Sequence, residues 1–187
     1  MPKSVTITKE SIINATVELV RREGADAINA RAVARELNVS TQPIFSNFAS
    51  INDLFIATVE RSVEIFREYM QRELESGIYP DYKASGMAYI RFAKEQKELF
   101  KLLYMRDRTG EGYTEEESLF SEMEKMVHDS TGLVGDDTTK FHFEMWTLVH
   151  GIATMLATNY LTLKEEAISA IITDVYQGLK KQYGLEG

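Results

Sequence analysis

The sequence predicts an all-α protein, and three observations carry that prediction. Apolar residues recur at intervals of three and four along almost the whole chain, the period of an amphipathic helix. No stretch alternates apolar and polar residues as a half-buried strand would. Glycine, asparagine and proline fall between the periodic runs, where helices stop and start. The 187 residues, 44% of them hydrophobic, suffice for a sizeable core in one or two domains.

Each element follows from local chemistry. A first helix is expected over 8–23, with Ile12, Ala15, Leu19 and Val20 as its buried stripe and Thr8 as its cap. Gly24 ends it by taking a left-handed conformation. A second helix over 30–37 starts from Asn29 and turns Val33, Ala34 and Leu37 inward. Asn38-Val39-Ser40 is a tight turn in which Asn38 takes the left-handed position. Ser40 then caps a third helix over 41–47. Pro43 is compatible with it, because in a first turn its missing N–H has no intrahelical partner. Ile44 and Phe48 pack back on the first two helices, which cross closely at the small Ala34.

A long helix over 51–76 opens with Ser50 and Asp53 as a capping box, and Leu54, Val59, Val63, Phe66 and Met70 give it one apolar side. The run Gly77-Ile78-Tyr79-Pro80-Asp81 breaks it. Helix resumes over 82–105 with a bend near Glu95–Glu98, and Arg106 to Thr114, with Gly110 and Gly112, is a loop. Thr114 and Glu117 form a capping box for a helix to about 130, Gly132 and Gly135 punctuate, and further helices cover 136–159 and 164–182. About nine helices are expected in all. The break between functions falls near residue 50, giving units of 1–50 and 51–187 without a flexible linker.

Composition excludes several classes. There is no cysteine, hence no disulfide framework, thiol nucleophile or thiolate metal site. The first ten residues have no apolar signal core, and no apolar run approaches the ~18 residues of a membrane span. A cytoplasmic location with no membrane partner is the expectation. The net charge of −8 is uneven. Residues 1–50 carry six Lys/Arg against five Asp/Glu, and the remaining 137 carry 15 against 24. Only the N-terminal segment is electrostatically fit to face a polyanion. His128, His142 and His150 lack metal-ligand spacing, and no phosphate loop, nucleophile triad or dinucleotide fingerprint is present. The chain reads as neither enzyme nor metalloprotein, with no catalytic residues, metal or cofactor. Glu115 to Glu117 read as a solvated helix start, where acids favour the dipole.

Two short helices around a tight turn, over 28–54 with a further helix following, have the layout of a DNA-reading helix-turn-helix. Here Gly24, Asn29, Val33, Ala34, Val39, Ser40, Ile44, Phe48 and Leu54 stand in register with a known pattern, and over about 47 residues the chain resembles the TetR/AcrR family of bacterial regulators. Asn38 replaces the family's turn Gly. Phe45 replaces a Tyr whose hydroxyl meets a phosphate, and Ile51 replaces a Lys. Further on, Trp146-Thr147-Leu148-Val149-His150-Gly151 resembles the Trp-His-Gly signature of one TetR-type ligand-binding domain, as does the stretch 84–93. That subgroup usually has a Pro near Lys97, absent here. The resemblance implies a three-helix DNA-binding head, a C-terminal ligand-binding and dimerisation bundle, a homodimer, and release from an operator when a small, often apolar molecule binds.

The residue chemistry fits those expectations. Exposed positions around the third helix, Ser40, Thr41, Gln42, Phe45, Ser46 and Asn47, face the DNA. Gln pairs with adenine N6 and N7, and a Thr methyl meets a thymine methyl. No Arg or Lys lies on that helix, so a strong guanine contact is not expected from it. Lys9 and Arg31 are the candidate phosphate contacts. In the body, Phe66, Met70, Met87, Phe100, Tyr104 and Met105 are candidate walls of an apolar pocket, together with Met123, Met126, Met145 and Trp146. Plain core is the blander reading of each. His150, one turn after Trp146, bonds a ligand or an internal carboxylate, or serves as a satisfied structural histidine. Gly151, Thr154 and Thr158 form a small-residue face suited to a dimer interface or to packing within one subunit. The expected function is a ligand-responsive repressor bound to a double-stranded, pseudo-palindromic operator. A second reading stays open: a small-molecule-binding or protein-interaction bundle whose head has lost DNA binding, favoured by Phe45, Ile51 and the uncharged third helix.

Overall fold

The computed structural model describes residues 7–109 and 115–185, with side chains described for all of these but 115–118. Among them lie nine α-helices: α1 Lys9–Glu23, α2 Ala30–Glu36, α3 Gln42–Asn47, α4 Ile51–Ser76, α5 Asp81–Glu95, α6 Lys97–Tyr104, α7 Glu115–Thr131, α8 Asp136–Ala157 and α9 Glu165–Gln182. No strand occurs among the described residues. The expected capping box of Thr114 and Glu117, and the glycines at 110 and 112, lie outside the described residues or side chains. The chain forms two compact units, one within Met1–Ile65 and Gln96–Asp107, the other within Phe66–Glu95 and Arg108–Gly187.

In the first unit the helix ends obey local capping rules. Thr8 accepts from the Ser11 amide at 3.1 Å, and Ser11 returns the bond to the Thr8 amide at 3.0 Å. Asn29 accepts from the Ala32 amide at 2.9 Å and opens α2. Ser50 and Asp53 exchange the same reciprocal pair at the start of α4, at 2.9 and 3.1 Å. Asn38 has φ +53°, and its amide bonds the Arg35 carbonyl while the Val39 amide bonds that of Ala34. Those two bonds are the Schellman closure that satisfies the last carbonyls of α2.

Three local expectations are corrected. Gly24 ends α1 at φ 83°, ψ 172°, a region essentially restricted to glycine, rather than in the left-handed helical well. The chain then makes a single 3-10 turn over Ala25–Ala27. Ser40 does not cap α3: the capping position is Thr41, which makes no side-chain cap bond. The missing cap bond is tolerable because Pro43, in the first turn, has no N–H to satisfy. On α1 the buried set is Ile12, Thr16, Val17, Leu19 and Val20, while Ala15 is only half-buried. Thr16 is tolerated inside because its hydroxyl donates to the Ile12 carbonyl at 2.8 Å.

Ile12, Leu19, Val33, Ile44, Phe48 and Leu54 form the core that joins α1 to α4, with Leu37 and Val39 packed against it. The helix expected over 82–105 is divided at Gln96, whose φ −119°, ψ 52° lies outside the helical region. The segment after the break, α6, packs on α1 and the 3-10 turn. Leu99, Phe100 and Leu103 are fully buried there.

The second unit is built on the α5–α8 pair, with α7 and α9 packed against both. Gly86 allows that approach, since a Cβ there would lie 3.4 Å from Val149 Cγ2. Rings fill the interior: Phe66 meets Tyr89 edge-on at 5.7 Å, and Phe141 meets Tyr176 and Tyr183 edge-on at 5.6 and 5.5 Å. Asn159 closes α8 at φ +55° with the Schellman bonds already seen at Asn38, Tyr160 N–H to Met155 and Asn159 N–H to Leu156. No helix among the described residues is long and apolar enough to cross a membrane.

Candidate nucleic-acid interface

The short α3 divides its side chains sharply. Ile44 is buried with no exposure and Phe48, just past the helix, with 4%, whereas Gln42, Phe45 and Ser46 are exposed. Positions 42, 45 and 46 are three and four apart, so they share one face. Phe45 is 53% exposed. Thr41 and Asn47 are half-buried, and Ser40 is exposed in the turn. Two of the polar groups are partly spent within the helix. Ser46 Oγ donates to the Gln42 carbonyl at 3.0 Å, and Asn47 Nδ2 donates to the Pro43 carbonyl at 2.8 Å. The Gln42 side chain holds no hydrogen bond among the described residues.

Cations stand on the two preceding helices. Arg31 and Arg35, one turn apart on the exposed face of α2, hold no hydrogen bond or ion pair among the described residues. Lys9 is exposed at the start of α1, its Nζ 5.3 Å from the Phe48 ring centre. Arg22, by contrast, is occupied: its guanidinium donates to Glu36 at 2.8 and 3.2 Å and to Glu23 at 3.1 and 3.2 Å. The hydrogen bonds from Arg22 hold the Glu36 carboxyl below its ordinary range, with smaller help from the charges of Arg22 and Arg35, so this acid stays ionised and is bound from α1. Arg21 pairs with Glu18 and Gln96. Sequence reading singled out Lys9 and Arg31. It passed over Arg35, although the i, i+4 spacing from Arg31 was available as a signal.

The residues considered for an apolar pocket fall into both units. Phe100, Tyr104 and Met105 belong to the first, where Phe100 is core, Tyr104 is half-buried and Met105 is 41% exposed. Phe66, Met70, Met87 and Met145 are buried in the second, with Met123, Met126 and Trp146 half-buried. There Trp146 stacks on His150 with ring centres 4.9 Å apart, and His150 Nδ1 meets the Tyr89 hydroxyl at 2.9 Å. Burial lowers the His150 pKa.

A second pair joins Tyr82 Oη to His142 Nδ1 at 3.0 Å, and neither pair is foreseen from the sequence. Burial pushes the His142 pKa down to about 4, against a smaller upward effect of Glu124, and burial raises that of Tyr82. The tyrosine therefore keeps its proton and the imidazole is neutral, and the two share one hydrogen bond whose direction follows the imidazole tautomer. Thr138, one turn earlier on α8, buries a hydroxyl that has no partner among the described residues. A surface cleft of about 670 Å³ is lined by Tyr79, Glu165, Glu166, Ser169, Ala170, Thr173 and Asp174, none of them among the residues considered for the pocket. Among the described residues no group of His, Asp and Glu could hold a metal.

Residues 12–58, which include the whole helix-turn-helix, match the family described as bacterial regulatory proteins, tetR family. Residues 82–175, half of the chain, match the tetracyclin repressor-like C-terminal domain. The chain belongs to the TetR family. Its fold is similar to that of a protein of unknown function from Rhodococcus sp. RHA1, at 19% identity and TM-score 0.79, over 95% of this chain and 98% of that one. A TetR-like transcriptional regulator from the same organism matches at 15% identity and TM-score 0.70, over 98% and 99%. A TetR-family member from Streptomyces coelicolor A3 matches at 17% identity and TM-score 0.61, over 89% and 96%. No curated protein matches the chain. TetR-family proteins are transcription regulators rather than enzymes, and the architecture here is that of a DNA-binding regulator.

Proposed function

We propose that this protein is a homodimeric, cytoplasmic repressor of bacterial type, released from a pseudo-palindromic operator when a small apolar or aromatic molecule binds its second unit. Residues 1–50 read DNA, braced by the start of α4 and by α6, and residues 51–187 supply sensing and dimerisation. The observation that carries the DNA side is an exposed α3 face together with the exposed cations Arg31 and Arg35 on the preceding helix, which hold no hydrogen bond or ion pair among the described residues. α3 contributes Thr41, Gln42, Phe45, Ser46 and Asn47 toward the bases. Ser40, Lys9, Arg31 and Arg35 stand on the phosphate side. In a dimer the two heads meet successive major grooves ~34–36 Å apart.

The sensing side is supported by the methionines and rings of the second unit, which adapt to varied apolar shapes. The Tyr89–His150 pair supplies a polar end at which a ligand can be oriented. The ligand releases DNA only to the extent that it binds the non-operator conformation more tightly. Dimerisation through α8 and α9 is supported by two glycines. A Cβ at Gly151 on α8 or at Gly178 on α9 would meet nothing within 4 Å, so packing within the subunit does not explain either.

A salt titration tests the DNA reading. The chain should bind its operator with an affinity that falls steeply with salt, and Arg31→Ala or Arg35→Ala should each flatten the log–log slope by about one. Fluorescence anisotropy from 50 to 200 mM salt reads it. Slopes unchanged in both variants would remove these arginines from the phosphate contacts. The absence of salt-dependent retention in the parent chain would favour the bundle that has lost DNA binding.

A further inference from the structure

The exposed face of α3 holds a side chain that neither the fold nor phosphate binding explains. Phe45 is 53% exposed while its neighbours Ile44 and Phe48 are buried, so the helix had core positions available and the ring does not occupy one. It has no ring partner among the described residues. It sits between Gln42 and Ser46 on one face and carries no hydroxyl with which to meet a phosphate. An aromatic ring kept in water is a cost that binding can recover.

What surrounds the ring narrows what it meets. Guanine shows two acceptors, N7 and O6, in the major groove, and is best read by a cation with paired donors. α3 has no cation, and the cations nearby stand on α2 and α1. Ser46 has committed its proton to the Gln42 carbonyl at 3.0 Å, so toward the DNA it offers lone pairs. Asn47 has committed an amide proton to the Pro43 carbonyl at 2.8 Å. What remains outward is the Gln42 amide, which matches the N7 and N6 pattern of adenine, an acceptor on Ser46, and the Phe45 ring. The one apolar feature in the major groove of unmodified DNA is the C5-methyl of thymine, which aromatic and aliphatic side chains contact.

We infer that Phe45 is a specificity-determining residue that reads thymine methyl groups, and that the operator half-site beneath α3 is an A·T step contacted jointly by Phe45 and Gln42. The inference rests on the operator-binding reading above. It replaces the lost phosphate contact at this position with a base contact of different chemistry, and it assigns discrimination to apolar burial.

The test uses the full chain and duplexes selected by it from a random-sequence pool. Thymines of the enriched duplex are replaced one at a time by deoxyuridine, which removes only the methyl, and affinities are read by fluorescence anisotropy at fixed salt. One or two uracil substitutions per half-site should weaken binding about four-fold each, the worth of one methyl-sized apolar contact. Phe45→Ala should bind more weakly and be indifferent to uracil at those positions. Phe45→Leu, which keeps an apolar surface, should retain part of the dependence and serves should the alanine variant fold poorly. Uracil silent at every thymine, or equally costly to the parent and to both variants, would overturn the assignment while leaving operator binding intact. A pool that enriches no duplex at all would overturn the operator-binding reading and this inference with it.

Discussion

Asn38 and Asn159 both hold backbone at positive φ, +53° and +55°, and both close a helix through the same pair of amide bonds. Asparagine tolerates this conformation better than any residue but glycine. At Asn38 the conformation matters twice, because it ends α2 and sets the direction in which the chain enters α3. Replacing Asn38 by Ala should destabilise the fold by about 1 kcal/mol, because alanine lacks the short polar side chain whose local hydrogen bonding eases asparagine into the left-handed well. Asn38→Gly, sterically free there, should be milder, offset by glycine's greater freedom in the unfolded chain. Urea unfolding followed by circular dichroism measures both. An alanine variant as stable as the parent would show that the turn opens without strain.

At the scale of the helix, α8 carries two histidines, His150 half-buried and His142 buried, and the buried one makes stability depend on pH. The folded chain holds His142 near pKa 4 by burial, below its ordinary 6.5. Between those values the unfolded chain takes up a proton that the folded chain refuses. Stability therefore rises with pH through the window and is lost as pH falls from about 6.5 toward 4. The slope from this one group is at most about 1.4 kcal/mol per pH unit. Urea melts at pH 4.5 to 7 should show a steeper dependence in the parent than in His142→Phe. An imidazole NMR titration should place the His142 midpoint near pH 4, and a midpoint near 6.5 would contradict the burial argument. Helix ends were legible in the sequence because capping is local: Thr8, Asn29 and Ser50 with Asp53 mark α1, α2 and α4 where the structure has them. The Tyr82–His142 bond spans sixty residues, and periodicity carries no trace of it. Nor does periodicity reveal that Leu99 and Phe100 pack with the first unit, since it marks a buried face and not the partner that covers it. On α3 the sequence exposed the Gln42 face but not the spent protons of Ser46 and Asn47, which depend on rotamers.

For the whole molecule, the uneven charge and the small-residue faces constrain assembly together. Residues 51–187, with 24 acids against 15 bases, repel DNA, so the proposed dimer has to present both heads and keep its acidic mass away from the duplex. The outward face of α8 suits the dimer contact: Phe143 is 56% exposed, Gly151 is open, and Thr154 and Thr158 lie one and two turns on. On α9, Ile171 is 36% exposed and Gly178 is open. A β-carbon at Gly151 would meet nothing within 4 Å, and Gly151→Leu would raise helix propensity by nearly 1 kcal/mol, so the isolated chain should be as stable as before or more so. Across a close helix–helix contact the same side chain would force the helices apart. Gly151→Leu should therefore shift the dimer toward monomer in sedimentation velocity while thermal stability at low concentration holds, and operator affinity should fall because the two half-sites are then engaged independently. A variant that remains dimeric at every concentration would place the interface elsewhere on the molecule, and one that unfolds would show Gly151 to be packed within the subunit.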